Sequence, residues 1–151
     1  MSDHLVFKMG EFEAIFPTDR QYAKNHMWAL PQKAGVYRFG FTAYAVRLLQ
    51  DVYFLEWSVD AGVTLAERQE MGAIESKKAE SALYSPMAGL LPRVNDDLLS
   101  DPSTINVDKY GDGWLFEIEG NGELLSPADY IKHLESVWEV TQRTIKGQLN
   151  D

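Results

Sequence analysis

The sequence predicts a mainly β domain with one short helix near its start and an amphipathic helix at its end. Three observations carry this expectation. Runs rich in Val, Tyr, Phe and Trp recur, as β-strands require. Gly, Asn, Asp and Pro clusters punctuate those runs. Apolar residues step at three- and four-residue intervals after Thr42 and again after Ser126.

The elements follow in order. Residues 1–21 form a lead-in in which Leu5-Val6-Phe7 and Phe12–Phe16 read as one or two strands covering a sheet edge. Gly35–Phe41 alternates between glycines and reads as a strand. Thr42 is placed to cap a helix that runs to Leu49. Asp51–Trp57 is dense in β-formers and is expected as a buried strand. Ile74–Pro86 reads as a β-hairpin with Lys77 and Lys78 at its tip, the small residues Ser76, Ala79, Ser81 and Ala82 lining the bend. Residues 95–113 are a long connection crowded with turn formers. Trp114–Glu119 alternates cleanly and closes the sheet, and Gly120-Asn121-Gly122 is the turn after it.

Ser126-Pro127-Ala128-Asp129 is a helix start: a capping serine, a proline in the first turn, and an acid three residues after the cap. Tyr130, Ile131, Leu134, Val137, Trp138, Thr141 and Ile145 then mark an apolar face to about Gly147, with Val137 and Trp138 turned to the core.

A length of 151 residues suits one domain with its own core, here 1–151, with 1–21 as an N-terminal extension and 126–147 as a C-terminal helix. The formal charge is −9, from 14 basic and 23 acidic residues. An acidic surface argues against nucleic acid and anionic membrane and for basic protein partners. There is no cysteine, which excludes disulfides, thiolate metal sites and a Cys nucleophile. Met1-Ser2-Asp3-His4 shows no basic stretch leading into an apolar run, and Arg47 and Glu56 interrupt the longest apolar stretches. A cytoplasmic location is therefore expected. The three histidines have no metal-ligand spacing. Gly111-Asp112-Gly113 lacks the strand and helix of a phosphate loop, and no Gly-x-Ser-x-Gly elbow is present. No catalytic residue and no metal site is expected; the chain reads as a non-catalytic component.

A lysine held on a sharp exposed turn can be reached and acylated by an enzyme. Glu75-Ser76-Lys77-Lys78-Ala79, set in a strand–turn–strand, resembles the lipoyl attachment motif of the glycine cleavage H-protein family, and its register selects Lys78. The resemblance covers about residues 22–119. It includes His26-x-Trp28 and Gly40-x-Thr42-x-Tyr44-Ala45. It continues through Val94-Asn95, Leu98, Pro102, Ile105-Asn106, Asp108 and Tyr110-Gly111-x-Gly113-Trp114-Leu115. It implies a lipoyl-domain-like hybrid barrel of two antiparallel sheets with the lysine on the hairpin turn. It also implies lipoate bound covalently to Lys78, with Glu75, Ser76 and Ala79 read by a lipoate-protein ligase or lipoyl transferase. His26, Met27, Trp28 and Ala82 are then candidates for a cleft that receives the arm.

The chain departs from the family pattern at telling places. Met27 stands where a glutamate is usual, and Ala82 where an aspartate is common. Gln50, Trp57-Ser58 and Lys109 also differ. Both missing acids lie where the family holds a cationic, aminomethyl-bearing arm, and a buried cation without a counter-charge is costly. The expectation on these grounds is a lipoyl carrier of sulfur oxidation, working with a heterodisulfide-reductase-like complex. The alternatives are a glycine cleavage carrier working with the P, T and L proteins, a donor that relays lipoyl groups, and an unmodified interaction module.

Overall fold

The computed structural model describes the backbone of residues 3–150 and the side chains of residues 3–140. The chain opens with β1 (His4–Met9), β2 (Phe12–Pro17), β3 (Gln21–Tyr22), β4 (Met27–Pro31) and β5 (Val36–Phe41). It continues with α1 (Ala43–Leu49), β6 (Phe54–Trp57), β7 (Thr64–Leu65), β8 (Glu70–Glu75), β9 (Glu80–Tyr84) and β10 (Ala88–Val94). Two short helices follow, α2 (Asp97–Ser100) and α3 (Thr104–Val107), then β11 (Phe116–Asn121) and α4 (Pro127–Asn150).

Every strand pairing among the described residues is antiparallel. One sheet has the order β3-β4-β5-β11-β10-β7, and a second the order β6-β8-β9. Their facing apolar side chains, among them Phe39, Leu55, Met71, Ile74, Leu83, Leu91 and Phe116, make the main core. Phe39 and Phe116 stack in it with ring centroids 5.4 Å apart. The mainly β architecture with a short helix after the first strands and a C-terminal helix is the one the sequence implies. It carries one more sheet than expected.

That sheet is β1-β2, in the register Val6↔Ile15 and Phe7↔Ala14. It pairs with no strand of the larger sheets. Its alternation puts Phe7, Met9, Ala14 and Phe16 on one buried face, which packs with Tyr22, Trp28, Tyr44, Tyr130 and Leu134 into a second core. The lead-in is therefore two strands, as its pattern says, and it covers the edge strand β3 together with α1 and α4. Tyr110 ties it down by donating its hydroxyl to the Ile15 carbonyl (2.5 Å) and accepting from the Ala43 amide (2.9 Å).

Several boundaries shift for physical reasons. The stretch 51–57 is strand only over β6, where Leu55 alone is buried and Phe54 is exposed, and Tyr53 before it is exposed too. The connection 95–113 contains α2 and α3, single turns that bury Leu98 and Ile105. Gly120 and Asn121 are the last residues of β11, paired with Gly89 and Ala88, so the turn lies beyond them. Phe116 and Ile118 face the main core and Glu117 the other side, where Arg38 and Arg93 cover its carboxylate, so all three are buried although the strand alternates. The helix begins as its cap says, with Ser126 Oγ accepting from the Asp129 amide at 3.1 Å, but it passes through Gly147 to Asn150. Trp138 packs edge-on against Phe7 and Tyr44, as a core-facing residue does. The side chains of Thr141 and Ile145 lie outside the described residues.

Candidate functional site: a lysine turn and the cleft beside it

The hairpin β8–β9 is held in register up to Glu75↔Glu80, which leaves Ser76, Lys77, Lys78 and Ala79 as the turn. Ser76 is buried although it is polar, because its side chain closes the turn. Its amide donates to the Ala79 carbonyl at 2.8 Å, and its hydroxyl accepts from the Ala79 amide at 3.2 Å and donates to the Ala79 carbonyl at 3.1 Å. Lys77 and Lys78 are both exposed.

The turn is fixed from below by α1. The Lys77 amide donates to the Gln50 carbonyl (3.0 Å) and the Lys78 amide to the Leu49 carbonyl (3.2 Å). These are carbonyls at the end of a helix, which lack partners within it. Helix α1 stops there because Gln50 and Asp51 adopt left-handed backbone, with φ of 52° and 47°. The lysine turn is thus the C-terminal cap of α1. Carbonyl groups at a helix end also carry partial negative charge, which suits two cationic side chains above them. Composition offered no sign of this docking, since no side chain takes part in it.

A cleft of about 280 Å3 opens between β4, α1 and β9, lined by His26, Met27, Leu48, Leu49, Ala82 and Tyr84 among others. Leu49 belongs both to the cleft wall and to the contact that holds Lys78. Three of the four cleft candidates from the sequence therefore meet in one place. Trp28 does not join them. It lies on the opposite face of β4, buried in the second core, where its indole N–H donates to the Lys109 carbonyl at 2.9 Å and the Arg20 guanidinium lies 4.8 Å from its ring. Alternation along the strand puts neighbours on opposite faces, so Met27 and Trp28 belong to different cores. Leu48, Leu49 and Tyr84 were missed; the apolar step from Ala45 to Leu48 and Leu49 was the available signal.

His26 sits at one end of the cleft in a left-handed conformation, φ 70°. Its Nδ1 is 2.9 Å from the Tyr130 hydroxyl, which in turn lies 3.1 Å from Thr42 Oγ1. Thr42 caps α1 by accepting from the Ala45 amide at 3.3 Å, and its own amide donates to the His26 carbonyl at 3.1 Å. Tyr130 of α4 thereby joins the cleft to the start of α1. The His26 ring also packs on Tyr44 (4.6 Å between centroids) and lies 5.9 Å from the His133 ring. Burial pushes the His26 imidazole down to about 4, and the His133 ring beside it adds to the effect. At neutral pH the imidazole is uncharged.

A larger hollow of about 440 Å3 shares Asn25 and Tyr84 with the cleft and carries Lys24, Glu67, Arg68 and Glu123; it reaches no residue of the lysine turn. No group of three or more His, Cys, Asp or Glu among the described residues is placed to hold a metal ion. No helix among them is long and apolar enough to cross a membrane.

The family model of the glycine cleavage H-protein matches residues 20–141. The glycine cleavage system H protein of Neisseria gonorrhoeae is 40% identical over 114 residues, spanning 76% of this chain and 82% of its own. That of Myxococcus xanthus is 45% identical over 103 residues, 68% of this chain and 78% of its own. The crystal structure of a glycine cleavage system H protein from Mycobacterium marinum superposes with a TM-score of 0.67 at 35% identity, covering 76% of this chain and 95% of that one.

Proposed function

The chain belongs to the glycine cleavage H-protein family, and on that premise we propose that it is a lipoyl carrier with Lys78 as the attachment site. Its role is that of a non-catalytic component of a multienzyme system. What supports the reading is a lysine pair exposed on a four-residue turn whose backbone is fastened to α1, and the register of Glu75-Ser76-Lys77-Lys78-Ala79 selects Lys78 from the pair. The residues present fit the group. A free ammonium stands on a rigid base, and an apolar cleft begins at the Leu49 wall next to it. Lipoate, once bound, supplies the dithiolane that accepts and releases cargo and electrons, chemistry that a chain without cysteine lacks.

The protein's own part is presentation. A tether anchored on a stiff turn keeps its far end at high effective concentration for each docked enzyme. Glu75, Ser76 and Ala79 shape the turn that the attaching ligase or transferase meets; Ser76 does so through the hydrogen bonds to Ala79. Residues 1–21 are an extension of this single domain, since α1 and α4 complete the core they begin.

The expectation that favoured sulfur oxidation yields to its alternative, because the named relatives are glycine cleavage system H proteins. The partners proposed are accordingly the P, T and L proteins of that system. Intact-mass measurement of the full chain after incubation with a lipoate-protein ligase, ATP and lipoate tests the reading. One lipoyl adduct per chain is expected, and an unmodified chain would overturn it.

A further inference from the structure

Three large apolar side chains stand in solvent near the lysine turn. Tyr53 is 59% exposed, Phe54 41% and Val107 84%. The backbone gathers them. The Tyr53 amide donates to the Glu75 carbonyl at 3.0 Å, and Phe54 is paired with Glu75, where the hairpin ladder ends. The Asn106 side chain accepts from the Val52 amide and donates to the Val52 carbonyl, both at 2.9 Å. That clamp fastens α3, which ends in Val107, to the residue before Tyr53. Strand β6 lies across β8 from β9, so the patch is on the other side of the turn from the cleft. Exposed apolar patches with a polar border mark contact surfaces.

The border here is acidic. Phe54, Glu56, Glu75 and Glu80 line a trough of about 380 Å3 on the outer face of β6-β8-β9, where Gly72 and Ala73 put up no large side chain. Glu75 and Glu80 are direct cross-strand partners. Like charges in that relation repel. Among the described residues none of these three carboxylates has a hydrogen bond or ion pair, and neither Lys77 nor Lys78 forms one with them. A cation from another molecule would relieve the repulsion.

Reach decides which molecule that is. A lysine ends on a four-carbon stem. An enzyme that acylates it must therefore bring its active site within one side-chain length of the turn and press on what surrounds it. Lys78 Nζ attacks the activated lipoyl carbonyl, gives up a proton and forms an amide as the adenylate made from ATP leaves. Later partners meet the far end of the finished arm and have no need to press there. We propose that Tyr53, Phe54 and Val107 are the docking surface for the enzyme that acylates Lys78, whose facing surface is an apolar recess rimmed by Arg or Lys. The proposal rests on the assignment of Lys78.

The test follows lipoylation of the full chain by intact mass, with a lipoate-protein ligase, ATP and lipoate, over a range of chain concentrations. Phe54→Ser and Val107→Ser are each expected to raise the KM for the chain about fivefold or more, as loss of an interface anchor does, with kcat little changed and the Tm of the parent. Val6→Ser, at a similarly exposed residue of β1, is expected to leave KM unchanged. Glu80→Lys is expected to raise KM and to weaken its dependence on salt. A parental KM in both Phe54→Ser and Val107→Ser would overturn the proposal. So would unchanged lipoylation with slower turnover alongside the P, T and L proteins, which would give the face to those partners. A parent that sediments as a dimer and becomes a monomer in Phe54→Ser, with its KM unchanged, would give the face to a second copy and overturn the proposal too. A parent chain that takes up no lipoyl mass on Lys78 would instead overturn the assignment beneath it.

Discussion

The peptide nitrogen of Lys78 donates to the carbonyl of Leu49 across 3.2 Å, so the presented lysine is fastened to the last turn of a helix rather than to its own hairpin. A solitary two-stranded tip frays easily. This one shares its stability with α1, and through Thr42 and Tyr130 with α4.

Ser76→Ala removes the hydroxyl that both accepts from and donates to Ala79. Loss of a buried hydrogen-bonding group costs about 1–2 kcal/mol. The urea midpoint is expected to fall accordingly. Lipoylation by the ligase, followed by mass, is expected to slow because the turn is less well held.

Lys78→Arg is expected to abolish the lipoyl adduct, while Lys77→Arg leaves it intact. Both residues are exposed and both amides dock on α1, so exposure does not distinguish them. Intact mass after ligase treatment reads the outcome directly, and the reverse pattern would show the register to be off by one.

His26 makes stability depend on pH. Its folded value of about 4 lies below the ordinary 6.5, so between these values the unfolded chain binds a proton that the folded one does not. Its stabilising contribution is full above pH 6.5 and is lost as pH falls toward 4, by roughly 2 kcal/mol between pH 7 and 4.5. His26→Asn tolerates the left-handed backbone and has no proton to gain. Urea titrations at the two pH values are expected to show a smaller fall in the variant than in the parent.

Gly40 faces Trp28 across β4 and β5, and a methyl group there would come within 2.5 Å of the indole ring. Trp28 is enclosed in the second core and tied to Lys109, so it has little room to move. Gly40→Ala is expected to cost about 1–3 kcal/mol, as overpacking does. Calorimetry would show it as a lowered Tm, with the lipoyl adduct still formed.

The site was legible where side chains write it. Glu75, Ser76, Lys78 and Ala79 stand at the hairpin end that their pattern indicated, and Thr42 and Ser126 cap the helices they were expected to cap. It was illegible where backbone does the work. The docking of the turn on Leu49 and Gln50 uses peptide groups alone and depends on two left-handed residues that are not glycine. Trp28 misled because a short motif names neighbours, and neighbours on a strand point apart. Leu98 and Ile105 sit on single helical turns, too short for a periodicity to reveal.

The aromatic cluster of Phe7, Phe16, Tyr22, Tyr44 and Tyr130 draws on both ends of the chain. Anyone trimming this carrier to residues 20–141, the span the family model matches, or grafting that span elsewhere, would unroof that cluster by discarding β1 and β2. The greasy rings left behind would seek other surfaces, so a shortened version should clump in the tube long before its lysine could be put to use.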